Sequence, residues 1–186
     1  MYVQKRKQHT RRVYRKNDYY SGDGMLTAVW GPALWHYLHT MSFNYPVNPT
    51  QMDKKHYKDF VLNLQYVLPC RLCRENLSLQ FKQYPLQEYH MSSRDTFSKY
   101  IYLLHERINK RLHKRSGLLY SDVRDLYEHF RARCTIKQPK HTLKRMKEKG
   151  CTDPVYGKKS KCIIKIVPQH YKCKTMQVDS RCIKRR

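Results

Sequence analysis

Cys70 and Cys73, in the run Leu68-Pro69-Cys70-Arg71-Leu72-Cys73, stand one helical turn apart with an arginine on either side of Cys73. Two sulfurs at this spacing can close a disulfide and reopen it by thiolate attack, the chemistry of a redox dithiol. Two other readings stay open on the residues alone. A zinc site needs a second pair of ligands, and the other cysteines lack such close spacing. Two buried structural cysteines would need no chemistry at all.

The remaining five cysteines are scattered. Cys134 and Cys151 have 16 residues between them, and Cys162, Cys173 and Cys182 follow in a tail with little core pattern. Seven is an odd number, so if all the others pair, one thiol is free, transient or intermolecular.

The elements that must position this pair read as helices. Trp30, Leu34, Leu38 and Met41 recur every three or four residues, as do Tyr57, Phe60, Val61, Leu64 and Val67. Pro69 should end the second helix near Val67 and suits the first turn of a third, which puts Cys70 near a helix N-terminus. There the free amides and aligned peptide dipoles stabilise a thiolate, and Arg71 and Arg74 would add to this if they lie close. Cys73, Leu77 and Phe81 continue that third helix. Phe97, Ile101, Leu104, Ile108 and Leu112 mark a fourth, opened by a Ser93 cap. Val123, Leu126 and Phe130 mark a fifth, with Ser121 as its expected cap. No alternating strand pattern competes within this region, and the segment Cys162–Val167 is read as a short strand in the tail. A thioredoxin-like dithiol would follow a strand, whereas this one lies between helices. The expected class is all-α, a compact bundle of four or five helices.

Composition bounds the partners. The net charge of +25 is unevenly spread. Residues 30 to 130 hold 14 basic and nine acidic side chains, and the rest of the excess lies in residues 1–29 and 131–186. Such arms attract acidic proteins or nucleic acid, or simply keep the chain soluble. No apolar stretch approaches a membrane span, and the basic start, Met1 to Lys16, lacks the apolar run of a secretory signal. A protein made and used in the cytosol or nucleus is expected, where disulfides are usually catalytic or transient.

Two further pairs sit at helical spacing. Trp35 and His39 share one face of the first helix, and His105 and Asn109 share one face of the fourth. A lone histidine beside an apolar stripe is more often a packed core residue than a ligand. Two such pairs in one bundle with a dithiol carry more weight.

These residues together resemble the Erv/ALR-type FAD-linked sulfhydryl oxidases. The run Trp30-Gly31-Pro32-Ala33-Leu34-Trp35-His36-Tyr37-Leu38-His39-Thr40-Met41, with Tyr45-Pro46 after it, is similar to the family's first helix. Pro69-Cys70-Arg71-Leu72-Cys73 resembles its Pro-Cys-x-x-Cys centre. The segment from His105 to Lys114 resembles its His-Asn-x-Val-Asn-x-x-Leu-x-Lys flavin segment, with Glu106 in place of the first Asn. Cys134 and Cys151 reproduce its C-x16-C disulfide spacing. Gly31-Pro32 stands where cellular members have Gly-Arg, and the Trp-Gly-Pro start looks like the versions in large cytoplasmic DNA viruses.

The resemblance covers about residues 28–151, between a basic arm at 1–27 and a basic tail at 152–186. It implies a four-helix bundle with a short fifth helix that holds FAD and forms a homodimer, and it implies no metal. Cys73 would be the flavin-proximal cysteine and Cys70 the one that meets the substrate thiol. Trp35, His39 and His105 would pack on the cofactor rings, Asn109 would bond to it and Lys114 would lie near its phosphates. Trp30, Arg111 and Tyr127 are weaker members of that pocket. Cys134 and Cys151 would form a structural disulfide, and Cys162, Cys173 and Cys182 are candidates for a shuttle disulfide. Substrates would be protein thiols, presented directly or through a thioredoxin-like carrier, with oxygen as the terminal acceptor. A viral origin would place the activity at assembly sites in the host cytoplasm, and in the virion, during virion protein maturation. The alternative is a basic virion or nucleic-acid-binding protein whose cysteines only stabilise it, with some of the 16 tyrosines as stacking surfaces.

Overall fold

The computed structural model describes residues 15–22, 24–135, 150–168, 170–171, 173 and 177–182. A short turn of helix, α1 (Lys16–Tyr19), precedes α2 (Thr27–Phe43), α3 (Gln51–Val67) and α4 (Arg71–Gln83). After a 3-10 turn at Glu88–Met91 come α5 (Arg94–Arg111) and the short α6 (Tyr120–Glu128), then a ribbon of β1 (Ala132–Thr135) and β2 (Gly150–Pro154). The basic arm up to Tyr14 and the basic stretch 136–149 lie outside the described residues.

Local sequence explains most boundaries. Thr50 caps α3, accepting the Asp53 N–H at 3.1 Å while the Asp53 carboxylate takes the Thr50 N–H at 2.9 Å. Leu68, ahead of Pro69, is extended (φ −56°, ψ 135°), and α3 stops at Val67 as expected. Ser93 caps α5 through the Thr96 N–H. The expected Ser121 cap is not found. Helix α6 begins at Tyr120, and the Asp122 carboxylate takes the Leu119 N–H at 2.8 Å, so an acid in the first turn satisfies the free amide and Ser121 lies inside the helix.

Helix α2 packs along α5, α3 along α4, and α6 crosses α2 and α5. Phe97, Ile101 and Tyr45 are fully buried at the centre, where each apolar side chain contributes about 1.5–3 kcal/mol. The Tyr45 hydroxyl donates to the Met91 carbonyl at 3.0 Å, so its polar end is satisfied. A smaller cluster of Phe43, Val123 and Tyr127 joins α6 to the end of α2. There Arg131 donates to the Phe43 carbonyl at 2.8 Å while paired with Glu128.

The helical bundle of four long helices and a short fifth is the expected one; the antiparallel ribbon is an addition. The tail differs too. Residues 162–167 form no strand, and Ile163, Ile164 and Ile166 are each at least two-thirds exposed; among the described residues no strand pairs with them. Among the described residues no helix is long and apolar enough to cross a membrane.

Candidate functional site

Cys70 is the N-cap of α4, in extended backbone (φ −157°, ψ 119°), and Cys73 is the third helical residue. The two form a disulfide with their Cα atoms 5.2 Å apart, and the Cys73 N–H donates to Cys70 Sγ at 3.3 Å. One of the free amides of the helix start thus points at the Cys70 sulfur. Cys73 packs against the main core. The two arginines serve other partners. Arg74 Nη1 donates to the Leu68 carbonyl at 2.5 Å, tying α4 to the end of α3, and the exposed Arg71 faces Glu75 at 3.7 Å. A guanidinium reaches a carbonyl or carboxylate oxygen before a weak sulfur acceptor, which accounts for the difference from the sequence reading.

Residues 24–26, which lead into α2, run as a strap across this turn. The Met25 N–H donates to the Pro69 carbonyl at 2.7 Å, and the Trp30 indole N–H donates to the Met25 carbonyl at 3.1 Å. Gly24 lies against the turn so closely that a Cβ there would stand 2.5 Å from the Pro69 oxygen. Thr27 Oγ1 is 3.6 Å from Cys73 Sγ. Nothing in the spacing of Gly24, Met25 or Thr27 marked them beforehand, because their role depends on meeting a turn more than 40 residues away.

A second constellation joins α2 and α5. The Trp35 ring stacks on His105 with centroids 4.0 Å apart and planes within 6°. His39 Nε2 is 3.0 Å from His105 Nδ1, and the Tyr127 ring lies 5.2 Å from His39. Tyr127 also reaches His36 Nδ1 at 3.3 Å, a contact the sequence did not suggest. Burial, with the neighbouring His105 and His36 charges adding to it, pushes His39 down to about 3. Burial likewise lowers His105 to about 4, against the opposing pull of Glu106. Both imidazoles are therefore neutral at pH 7, and one donates to the other.

His39 is only 4% exposed, yet its Nδ1 has no hydrogen-bond partner among the described residues. An orphaned buried polar atom costs about 1–3 kcal/mol, so this nitrogen suits a group that can hydrogen-bond beside neutral aromatic faces. A planar heteroaromatic cofactor fits that description. Asn109, one turn beyond His105, donates to Glu106 Oε1 at 3.0 Å, so Glu106 occupies the side chain expected to face the cofactor. Arg111 and Lys114 are exposed at the end of α5, where His113 turns the chain with φ +54°. They gather positive charge at this end of the bundle. Trp30, in the first turn of α2, holds the strap through the Met25 carbonyl and packs on the core.

The remaining cysteines divide between the ribbon and the tail. Cys134 and Cys151 are Cα partners in the β1–β2 register, and Cys151 is disulfide-bonded. Cys162, Cys173 and Cys182 are free thiols, the first two exposed.

Comparison with known proteins gives this arrangement a context. The Erv1 / Alr family matches residues 32–131, more than half of the sequence. The chain belongs to the Erv1 / Alr family. A probable FAD-linked sulfhydryl oxidase of Acanthamoeba polyphaga mimivirus is 38% identical over 85 residues, covering 46% of this chain and 59% of that protein. An Arabidopsis thaliana FAD-linked sulfhydryl oxidase is 32% identical over 84 residues, covering 45% and 42%. An African swine fever virus FAD-linked sulfhydryl oxidase is 27% identical over 99 residues, covering 53% and 80%. The chain thus spans about half the length of the first two relatives. In structure, the yeast Erv1 core superposes with a TM-score of 0.51 at 22% identity, over 66% of this chain and 96% of that one, which establishes the shared helical fold. Both the Cys70–Cys73 turn and the Trp35–His39–His105 cluster lie inside the stretch matched by the Erv1 / Alr family.

Proposed function

We propose that this chain is an FAD-dependent thiol oxidase, converting two protein thiols and dioxygen into a disulfide and hydrogen peroxide. The observation that carries the reading is the half-buried Cys70–Cys73 disulfide at a helix N-terminus, in the same bundle as a neutral, stacked Trp35–His105–His39 cluster with an orphaned nitrogen.

Trp35, His39, His105 and Tyr127 would hold the cofactor rings, with Trp30 at the edge, Asn109 bonding to the cofactor, and Arg111 and Lys114 facing its phosphates. FAD held there supplies a two-electron acceptor for the reduced cysteine pair and a route from that pair to oxygen. The protein's own part is disulfide exchange. A substrate thiolate attacks Cys70 Sγ, the Cys70–Cys73 bond breaks and the electron pair leaves on Cys73 Sγ; a second substrate thiol then resolves the mixed disulfide at Cys70. Cys70 suits the outer role because it caps the helix, and Cys73 the inner one because it packs on the core.

The same reading assigns Cys134 and Cys151 a structural disulfide, which would contribute about 3 kcal/mol by closing its loop. Their register across the ribbon and the oxidised state of Cys151 support it. The free Cys162, Cys173 and Cys182 are candidates for relaying electrons from substrate proteins, or from a thioredoxin-like carrier, to Cys70. Residues 1–27 and 152–186 act as basic arms for acidic substrates or nucleic acid. Exposed Tyr37 and Phe60, 6.0 Å apart on α2 and α3, give a homodimer an apolar face. Likeness to the mimivirus and African swine fever virus proteins supports a role in virion protein maturation in host cytoplasm.

The test is the visible spectrum of purified protein, wild type and Cys73→Ala, with dithiothreitol in air while oxygen uptake is followed. Flavin absorption bleached by the dithiol and restored by oxygen in wild type only is the expected result. A colourless protein that takes up no oxygen after refolding with FAD would refute the reading in favour of a basic binding protein.

A further inference from the structure

We propose that Thr27 is a catalytic residue of the dithiol centre, donating a hydrogen bond to Cys73 Sγ that holds this sulfur as a thiolate when the disulfide opens. The proposal rests on the thiol-oxidase reading above for its physiological meaning, but its chemistry belongs to the cysteine pair alone.

The donor is decided by the oxidation state. Thr27 Oγ1 lies 3.6 Å from Cys73 Sγ, and in the disulfide that sulfur carries no proton, so the hydroxyl donates. The two sulfurs are served by different groups. Cys70 Sγ accepts the Cys73 N–H at the start of α4, whereas Cys73 Sγ accepts from a side chain on another helix. This division matches the order of events. When a substrate thiolate attacks Cys70 Sγ, a sulfur–sulfur bond forms there, the Cys70–Cys73 bond breaks, and Cys73 Sγ leaves with the electron pair as the substrate sulfur is oxidised. Negative charge therefore develops on the sulfur that Thr27 faces. A hydrogen bond to a charged acceptor is stronger than one to a neutral acceptor, so the Thr27 contact gains strength as the bond breaks. Thiols that are better stabilised as thiolates also leave faster.

Thr27 is held in place from three sides. The strap is pinned to the turn by Met25 N–H to Pro69 O, and Trp30 donates back to Met25 O. The Thr27 methyl lies over Gly31, 3.5 Å from where a Cβ would stand at that buried position. The hydroxyl is left facing sulfur. Thr27 is exposed, so water competes for the same acceptor and the effect is moderate.

The test uses the full chain in a Cys70→Ser background, so that Cys73 titrates without its partner. Reduced protein is alkylated with iodoacetamide across a pH series, and Cys73 is followed on the tryptic fragment cut at Arg71 and Arg74. Thr27→Val should slow Cys73 alkylation at neutral pH by about three- to tenfold, and Thr27→Ser should restore it. An unchanged rate in Thr27→Val overturns the proposal, and so does an equal loss in the valine and serine variants, which would mark a packing effect. No flavin takes part in this measurement. Failure of the oxidase reading would appear as absent oxygen uptake in wild type, while failure of the Thr27 role would appear only in the alkylation series.

Discussion

Gly24→Ala tests whether the strap is a separate unit laid on the redox turn. An added Cβ would stand 2.5 Å from the Pro69 carbonyl oxygen and 2.9 Å from Cys70 Cα. Both are backbone atoms, so no side-chain rotation relieves the clash, and either the turn or the strap must move. Moving the turn means overpacking against the end of α3, at about 1–3 kcal/mol. Lifting the strap gives up the Met25–Pro69 and Trp30–Met25 hydrogen bonds, each contributing about 1 kcal/mol. The strap route caps the loss at about 2 kcal/mol, and for a domain of this size that lowers Tm by roughly 5 to 10 °C. Two readouts locate the change. Amide exchange at Met25 should accelerate, because its N–H loses Pro69 O, whereas exchange at Leu68, whose N–H is held by Leu64 O inside the bundle, should stay slow. Unchanged Met25 exchange together with an unchanged Tm would refute the close approach, and lost protection at Leu68 would refute the independence of the strap.

The buried histidines give a pH dependence of known sign. His39 and His105 are lowered to about 3 and about 4 from the ordinary 6.5, so between pH 6.5 and about 4 the unfolded chain binds protons that the folded one does not. Stability therefore falls as pH drops through this window, by about 1.4 kcal/mol per pH unit for each histidine at most. Urea unfolding at pH 7 and pH 5 should differ by about 2 to 4 kcal/mol, and a His39→Phe, His105→Phe double variant should flatten the difference; equal slopes in both proteins would sink the argument. The two arginines beside Cys73 should behave differently. Arg74→Met removes the guanidinium from the Leu68 carbonyl and should destabilise by about 1 to 2 kcal/mol in urea, whereas Arg71→Met, on an exposed pair, should change stability by less than about 0.5 kcal/mol.

Much of the bundle was legible because its signals are local. Pro69 restricts its predecessor whatever the rest of the chain does, so the end of α3 and the nearness of Cys70 to a helix start followed from the sequence, whereas Pro69, expected in the first turn of the next helix, lies outside α4, which Cys70 caps. Ser93 capped α5 for the same reason. Ser121 failed by one detail of local chemistry, since the helix is capped two residues earlier, where the Asp122 carboxylate takes the Leu119 N–H and the Leu119 carbonyl takes the Asp122 N–H at 3.0 Å. The tail failed for a non-local reason. Ile163, Ile164 and Ile166 favour strand geometry, but a strand needs a neighbour, and the ribbon that does form uses Ala132–Thr135 and Gly150–Pro154, whose Gly and Pro weaken any strand signal.

The candidate site divides along the same line. Helical spacing put Trp35 with His39 and His105 with Asn109, but only the packing of α2 on α5 could bring His39 Nε2 to His105 Nδ1 and Trp35 onto His105. The arginines show why charge beside a sulfur in sequence is weak evidence of charge beside it in space. A guanidinium one residue from Cys73 turns to the Leu68 carbonyl at the end of α3, which also accepts the Cys70 N–H at 2.8 Å, because a carbonyl oxygen with two lone pairs is a better acceptor than sulfur. What faces the Cys73 sulfur instead is Thr27, from a helix 46 positions away, and no property of a threonine between Leu26 and Ala28 announces that contact. The dithiol could be found from its own spacing; the group that tunes it could be found only from the fold.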